Sequence, residues 1–395
     1  MRSEPPALCR ADSPSSLFSR LYLHIPWCLR KCDYCAFFSA TGTTARYEET
    51  VNLLLREMEL AAARYTGERL ASIYLGGGTP SLLTPKQVNR LLERSQQLWG
   101  HQHDIEITLE ANPGTVTDRL LSDFKQAGVN RISLGIQSFE DRALAVLGRA
   151  HSAQDAREAY AAAREASFRS IGLDLICGLP GQSCVDWHDQ IKQALLLSPD
   201  HLSIYGLSIE EGTPFGRRYQ ADSPELPDDD QQAEMLEMTD RLLIAAGYEH
   251  YEIANFARPG HRSRHNCGYW QRDGYLGLGP SAHSLLLQGW GLRCCNPANY
   301  QKWASQVTDG RLSHQESEQL SAKQALAEQI FLGLRMTEGI APEACLRQFG
   351  TALWAPHERA IDELFALGLL ERRRGRIALT RRGMMLANQV FVRFI

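Results

Sequence analysis

Three cysteines crowd one short stretch, Leu21-Tyr-Leu-His-Ile-Pro-Trp-Cys28-Leu-Arg-Lys-Cys32-Asp-Tyr-Cys35, with the spacing C-x3-C-x2-C. Thiolates are the soft ligands that hold iron–sulfur clusters. Three of them can bind three irons of a four-iron cubane and leave the fourth iron without a protein ligand. A fourth thiolate would close the cluster and suit plain electron transfer. The competing readings are a zinc knuckle or a set of buried thiols. Zinc wants a fourth Cys or His at suitable spacing, and His24 lies inside the strand expected before Cys28, a poor position for it.

An iron with an open site can take the amino and carboxylate groups of S-adenosylmethionine (SAM). One electron from the cluster then breaks the sulfonium C–S bond and yields a 5′-deoxyadenosyl radical. Groups suited to such a ligand follow along the chain. Gly76-Gly77-Gly78-Thr79-Pro80 comes after an apolar run. Glycine lets the backbone approach a ligand without a Cβ, and the N–H groups of this turn are expected to face the methionine end. Glu110, in Leu109-Glu110-Ala-Asn-Pro, can pair with an ammonium group. Gln137 ends another apolar run, and Arg149 opens the next helical region. Asp174 sits inside Gly172-Leu-Asp-Leu-Ile; a buried Asp needs a partner, and ribose hydroxyls would serve. Glu110 or Asp174, taken alone, can equally cap a helix or pair with a nearby arginine, and a lone triple glycine can be a sharp turn.

The elements that must position these groups alternate regularly. Leu21–Pro26, Ser72–Leu75, Ile105–Leu109, Arg131–Gln137, Gly172–Ile176 and His201–Leu207 read as strands: short, rich in Leu, Ile or Tyr, and bounded by Gly, Pro or polar residues. Amphipathic stretches separate them, at Tyr47–Ala63, Lys86–Leu98, Asp118–Ala127, Ala153–Glu165, Val185–Leu197 and Asp229–Ala246. Strand–helix repeats imply parallel strands with right-handed crossovers. Six units are too few for a closed eight-stranded barrel. They predict an α/β fold, a partial (β/α)6 TIM-like barrel with its chemistry at the C-terminal ends of the strands. An open doubly wound sheet is the alternative. The expected organisation is a flexible tail over 1–18, a core barrel over 19–250, a connecting segment over 251–312 within which Asn255–His283 reads as ordered loop, and a winged-helix-like domain over 313–395.

Composition narrows the class further. The 395 residues are 44% hydrophobic and carry a net charge of −4. No global basic field invites nucleic acid. The arginines of the expected wing, Arg372, Arg373, Arg374, Arg376, Arg381 and Arg382, read as a solvated or docking face. No apolar run reaches the roughly 18 residues of a membrane span, and the polar N-terminal stretch is not a secretory signal. Ten cysteines without an export signal point to a reducing, cytoplasmic setting with metal-bound or buried thiols.

The cysteine trio, the strand before it, the glycine turn and the acidic strand end together resemble the radical SAM superfamily. The likeness is closer to the oxygen-independent coproporphyrinogen III oxidase-like group, which holds the oxidase and the HemW haem chaperones, and it runs from Leu21 to Ile395. It implies that Tyr22, Gly77, Gly78, Thr79, Glu110, Gln137, Arg149 and Asp174 bind SAM. Tyr34 is placed beside a 4Fe–4S cluster held by Cys28, Cys32 and Cys35. The oxidase has a further cysteine two residues after the trio, where this chain has Phe37, and a longer N-terminal segment over its substrate. Both differences favour the chaperone branch.

A second motif, His265-Asn266-Cys267-Gly268-Tyr269-Trp270, looks like that branch's signature. Imidazole can ligate haem iron, so His265 is a candidate haem ligand. The bland alternative has His265 and Asn266 tying down a loop while Tyr269 and Trp270 pack as core. Cys267 and His283 are weaker candidates. The resemblance implies haem as cargo, haem-acceptor proteins as partners, and an electron donor such as flavodoxin or ferredoxin. Membrane contact is expected only peripherally, through the acceptors. The alternative function is the oxidase reaction, which turns two propionates into vinyl groups. A third reading is a radical enzyme that opens haem. No residue is assigned a catalytic role.

Overall fold

Strict alternation along the strands sets the architecture. The computed structural model describes residues 16–65, 69–220, 222–312, 314 and 316–395. Within them β1 (Arg20–Ile25), β2 (Leu70–Gly77), β3 (His101–Ala111), β4 (Arg131–Gln137), β5 (Ser170–Cys177) and β6 (His201–Gly206) pair in parallel, each with the next. Successive side chains of a strand point to opposite faces. One face carries Leu21, Leu23, Ile25, Ile73, Leu75, Ile171, Leu173 and Leu175, all fully buried. Each such side chain contributes about 1.5–3 kcal/mol through removal from water. The other face carries Tyr22, Tyr74, Glu110, Ser133, Asp174 and Ser203. Register sets these beside one another: Tyr22 opposite Tyr74, Glu110 opposite Ser133, Asp174 opposite Ser203.

The apolar face packs against the crossover helices α1 (Thr44–Arg64), α2 (Pro85–Trp99), α3 (Asp118–Gln126), α4 (Ala153–Glu165) and α5 (Cys184–Leu197). Thr84, Ser152 and Ser183 each close a capping box, so α2, α4 and α5 begin at fixed points after their loops. Helix α6 (Asp229–Ala245) follows β6.

The segment 251–312 is more than a connection, which corrects the expectation of ordered loop. It contributes to both ends of the sheet. After β7 (Glu249–Glu252), β8 (Asn255–Ala257) pairs antiparallel with β6. Helix α7 (Arg264–Trp270) then leads to β9 (Tyr275–Leu278), which pairs in parallel with β1, Arg20 opposite Tyr275. Next come β10 (His283–Leu286), β11 (Leu292–Cys295) and β12 (Glu316–Gln319). The order is β12-β11-β10-β9-β1-β2-β3-β4-β5-β6-β8-β7, one twelve-stranded sheet with two free ends. Buried Glu57 of α1 fastens the new edge: its carboxylate accepts from the Gly279 N–H (2.8 Å), Asn296 Nδ2 (2.8 Å) and Trp303 Nε1 (3.0 Å).

A second core gathers Leu326, Ile330, Phe349, Trp354, Ile361 and Val390. It lies among α8 (Ala322–Gly333), α9 (Pro342–Phe349), α10 (Thr351–Ala366) and the hairpin of β13 (Leu370–Arg373) and β14 (Arg376–Leu379). Several of the basic residues here are occupied: Arg373 pairs with Glu371, Arg381 with Asp240, and Arg376 donates to the Glu338 and Gly339 carbonyls. The tail assigned to 1–18 falls mainly outside the described residues, with Cys9. Its end is corrected, because Phe18 is core, edge-on to Tyr65 and Trp99. Among the described residues no helix is long and apolar enough to cross a membrane.

Candidate functional site

The C-terminal ends of the strands converge on one hollow. Tyr22, Gly77, Gly78, Glu110, Gln137, Arg149 and Asp174 are each half-buried, while their apolar strand neighbours are sealed. Several are direct neighbours: Glu110 meets the Gly77 N–H, the charge of Asp174 acts on Glu110, and that of Arg149 acts on Asp174. Thr79 lies fully buried behind them.

The cysteine loop docks on this rim. The Asp33 N–H donates to the Leu147 carbonyl (3.1 Å), the Cys35 N–H to the Cys32 carbonyl (3.2 Å), and Asp33 pairs with Arg218 (3.3 Å). All three thiols are free and half-buried. Burial raises Cys28, hydrogen bonds from the Thr79 and Ser39 side chains lower it, and the charge of Cys32 raises it. Burial also raises Cys35, with further increments from Cys32 and Cys28. The trio is thus close enough for mutual repulsion as thiolates, the form that binds iron. Among the described residues no three Cys, His, Asp or Glu side chains are set for a single metal ion; a cubane instead spreads its thiolates over separate irons. His24 is unavailable to zinc, since its Nδ1 meets the Tyr22 hydroxyl (2.9 Å) and its Nε2 meets the Phe38 carbonyl (2.8 Å).

Arg149 ties the cluster loop to the barrel. Its Nη1 donates to Cys32 Sγ (3.3 Å), and its Nη2 donates to Asn112 Oδ1 (2.5 Å) and the Gly135 carbonyl (2.6 Å). Asn112 Nδ2 then donates to Thr79 Oγ1 (2.9 Å), the residue beside Cys28. Asn112 is a site residue that the motif reading passed over. Its signal was available in Glu110-Ala-Asn-Pro, directly past a strand end. A Cβ on Gly135 would lie 3.0 Å from Asn112 Oδ1 and 3.0 Å from Gln137 Nε2, so a larger residue would have to push both side-chain ends aside. Gln137 has φ of 67°, beside a register shift in its pairing with β5. A left-handed non-glycine residue at a strand end is strained, and such strain gathers at functional sites. Tyr34 stands next to this group, its phenol raised by burial and lowered by Arg149.

Glu110 lies across the hollow. Its Oε1 accepts from the Tyr74 hydroxyl (2.8 Å) and its Oε2 from the Gly77 N–H (3.0 Å). Burial pushes its carboxyl up to about 7 from 4.5, and the charge of Asp174 adds to the rise. Gly77 has φ of 111°, and a Cβ there would sit 2.5 Å from the His24 ring. The expectation that the glycine turn offers free N–H groups is corrected. Gly77 donates to Glu110, Gly78 to the Ile25 carbonyl and Thr79 to the Trp27 carbonyl (both 2.8 Å). The turn therefore provides close approach, and Glu110 provides the charge. Asp174 accepts from Ser133 Oγ (3.1 and 3.2 Å), and burial raises its carboxyl while Ser203 and Ser133 hold it down.

His265 is placed apart from this hollow, and its reading as a haem ligand is corrected. It is completely buried. Its Nδ1 bonds with Ser72 Oγ (2.8 Å) and its Nε2 with the Tyr269 hydroxyl (2.8 Å), so neither nitrogen is left for iron. Burial drives its pKa well below the usual value. The Glu106 carboxylate accepts the N–H groups of Arg264 (3.0 Å) and His265 (2.9 Å) and caps α7. The His265 ring also lies 5.2 Å from that of Tyr74, the donor to Glu110. The motif thus buttresses the wall behind Glu110.

Comparison with known proteins agrees with this layout. Residues 22–193 match the Radical SAM superfamily, and residues 320–386 match the HemN C-terminal domain. The chain is 33% identical to "Heme chaperone HemW" of Bacillus subtilis over 375 residues, 95% of this chain and 98% of that one. It is 43% identical to "Heme chaperone HemW" of Escherichia coli over 267 residues, 67% of this chain and 70% of that one. Coproporphyrinogen III oxidase (HemN) from Escherichia coli shares the fold, with a TM-score of 0.84 at 22% identity over 97% of this chain and 91% of that one. The residues present fit the cofactors that membership implies: three neighbouring thiols, a guanidinium on one sulfur, and a buried carboxylate fixed by the glycine turn. By descent and by the layout of its cofactor site, the chain belongs to the radical SAM superfamily and, within it, to the HemW family.

Proposed function

We propose that this protein binds haem and hands it to haem-requiring acceptor proteins, with a 4Fe–4S cluster and SAM bound in the barrel. The observation that carries the reading is full-length similarity to haem chaperones combined with Phe37 at the position of the oxidase's further cysteine. Cys28, Cys32 and Cys35 would hold the cluster. Tyr22, Tyr34, Gly77, Gly78, Thr79, Glu110, Gln137, Arg149 and Asp174 would surround SAM. The cluster supplies one-electron chemistry toward the sulfonium when both are bound. The chain's own residues do the rest. Arg149 donates to Cys32 Sγ and would hold that sulfur in place for iron. Glu110 accepts from the amino end of SAM. Asp174, with its Ser133 and Ser203 partners, offers a carboxylate to ribose hydroxyls. A flavodoxin or ferredoxin would supply the electron, and the setting is the cytoplasm. Residues 19–250 would form the cofactor barrel; of the unit expected over 313–395, β12 (Glu316–Gln319) joins the main sheet and the residues after it would form a winged-helix-like docking unit.

The test is anaerobic reconstitution followed by two assays. Haem titration should give saturable binding and transfer to an apo-acceptor. Coproporphyrinogen, SAM and reductant should give no vinyl product. Turnover to vinyl product without haem binding would return the chain to the oxidase reading.

A further inference from the structure

We infer that the iron-ligating imidazole for haem is His283, and that the cargo sits in an aromatic cavity between the cluster loop and the β9–β11 edge. This deepens the proposed function and rests on it. The cavity holds about 520 Å³, within the roughly 300–1,000 Å³ range of small-molecule sites. Its walls include Tyr22, Phe38, Tyr269, Trp270 and Tyr275. Flat aromatic faces suit a flat macrocycle, which binds through area and stacking.

Phe37 also lines this cavity, immediately past Cys35, and is 69% exposed. A phenyl ring left in water beside an apolar cavity lacks the partner that a porphyrin face would supply. The position is the one where the oxidase has its additional cysteine.

Three histidines lie close to this wall, and the structure discriminates among them. His24 and His265 have both ring nitrogens engaged. His283 lines the cavity at the start of β10, is exposed, and makes no side-chain hydrogen bond or ion pair among the described residues. A neutral imidazole with a free nitrogen is the usual haem ligand. The turn that presents it is strained: Ser281, another wall residue, has φ of 62° and is held by its N–H to the Pro297 carbonyl (3.0 Å).

Charge complements the porphyrin's propionates. Arg293 lines the cavity and shares Glu328 with Arg272, two guanidiniums on one carboxylate. Trp270 adds an indole N–H that is buried without an acceptor among the described residues. A larger cavity of about 970 Å³ lies between β6–β8 and the C-terminal residues. Its histidine, His250, has Nδ1 on Asp240 (3.1 Å) and Nε2 on the Ile253 carbonyl (3.3 Å), so it offers iron no ligand.

The experiment uses the full chain, reconstituted anaerobically with its cluster and SAM, and titrated with ferric protoporphyrin IX or its dimethyl ester. Soret absorbance and the ferric haem EPR signal report ligation; iron content and SAM binding report the cofactor site. His283→Ala should lose the imidazole-ligated signature and weaken haem binding by about tenfold or more, with iron and SAM unchanged. In His283→Gly, added imidazole should restore the signature, which a folding defect could not mimic. Wild type should prefer the diacid to the diester, and Arg293→Gln should erase that preference. Wild-type ligation and affinity in His283→Ala overturn this assignment while leaving the chaperone reading intact. A wild-type protein that takes up no haem overturns both.

Discussion

Replacing Glu110 by Gln is expected to abolish the dependence of SAM affinity on pH in the neutral and mildly acidic range. Burial lifts this carboxyl from 4.5 to about 7 in the ligand-free chain. At about 1.4 kcal/mol per pH unit, that rise makes the charged form costlier by at most about 3.5 kcal/mol. The sign follows from the direction. The native state holds the proton more tightly than the unfolded chain. Glu110's stability contribution is therefore whole below 4.5, is lost as pH rises through about 7, and stays lost above it. An amino group donating to the carboxylate offsets that cost, so SAM selects the ionised form. Wild-type affinity should be level above about pH 7.5 and fall about tenfold per unit below pH 6.5. Binding near pH 6 should release up to about one proton. Glu110→Gln keeps an acceptor for Tyr74 but has no charge. A charge-assisted bond is worth about 1.5–3 kcal/mol, so affinity at pH 8 should drop roughly 10–150-fold. The assay is anaerobic calorimetry on the cluster-loaded protein in buffers of different ionisation enthalpy. A wild-type affinity flat from about pH 5.5 to 8.5, or an equal slope in the variant, refutes the reasoning.

Cys28→Ala, Cys32→Ala or Cys35→Ala should each abolish the cluster's visible absorbance and bound iron, while Cys294→Ala and Cys345→Ala retain both. Asn112→Ala removes the link between Arg149 and Thr79 and should destabilise the chain by about 1–3 kcal/mol in denaturant titration. Combined with Arg149→Lys it should fall short of additivity by more than about 0.5 kcal/mol, because one network is cut twice. His265→Ala should lower stability by about 2–4 kcal/mol, through two lost buried bonds and a cavity, and leave the haem iron's ligation signature unchanged. Gly77→Ala should cost at least about 1–2 kcal/mol from its left-handed backbone alone, visible as a lower midpoint of thermal unfolding.

The six barrel strands were legible because each is a short run rich in Leu, Ile or Tyr bounded by Gly, Pro or polar residues, with an amphipathic stretch after it. The edge strands β9 to β12 were not. Each has only four residues, and the pairing of β9 with β1 joins Arg20 to Tyr275, too distant for any local pattern to register. The cysteine trio stood out by its spacing, and its reading as cluster ligands drew on the glycine turn and acidic strand end around it. The amides of the glycine turn were misjudged because their partners, Ile25, Trp27 and Glu110, come from two other strands. His265 was misjudged for a related reason: a motif names residue types, whereas availability depends on Ser72 and Tyr269, which take both nitrogens. Asn112 escaped because a neutral amide between a Glu and a Pro resembles turn chemistry until Arg149 arrives from another loop.

The polar inner face explains why such a barrel needs its ligands. Closed barrels fill their interior with branched aliphatic side chains. Here the corresponding face carries Tyr22, Tyr74, Glu110, Ser133 and Asp174, and every buried polar group must find a partner or pay for its desolvation. Some pairs close within the protein: Tyr74 with Glu110, Ser133 with Asp174, Ser72 with His265. Others leave a surplus. Glu110 and Asp174 are two carboxyls lifted by burial in one hollow, with Asp174 raising Glu110 further. At the rim the Cys28 and Cys35 thiols are raised by burial and by the neighbouring cysteines. On the proposed placement, iron at the thiolates and the positively charged sulfonium cofactor in the hollow would relieve both. The sequence is therefore locally unfavourable at the very positions where a bound cofactor would make it favourable, and stability should rise with each cofactor added. A denaturation midpoint that did not move between apo, cluster-loaded and SAM-bound protein would contradict that coupling.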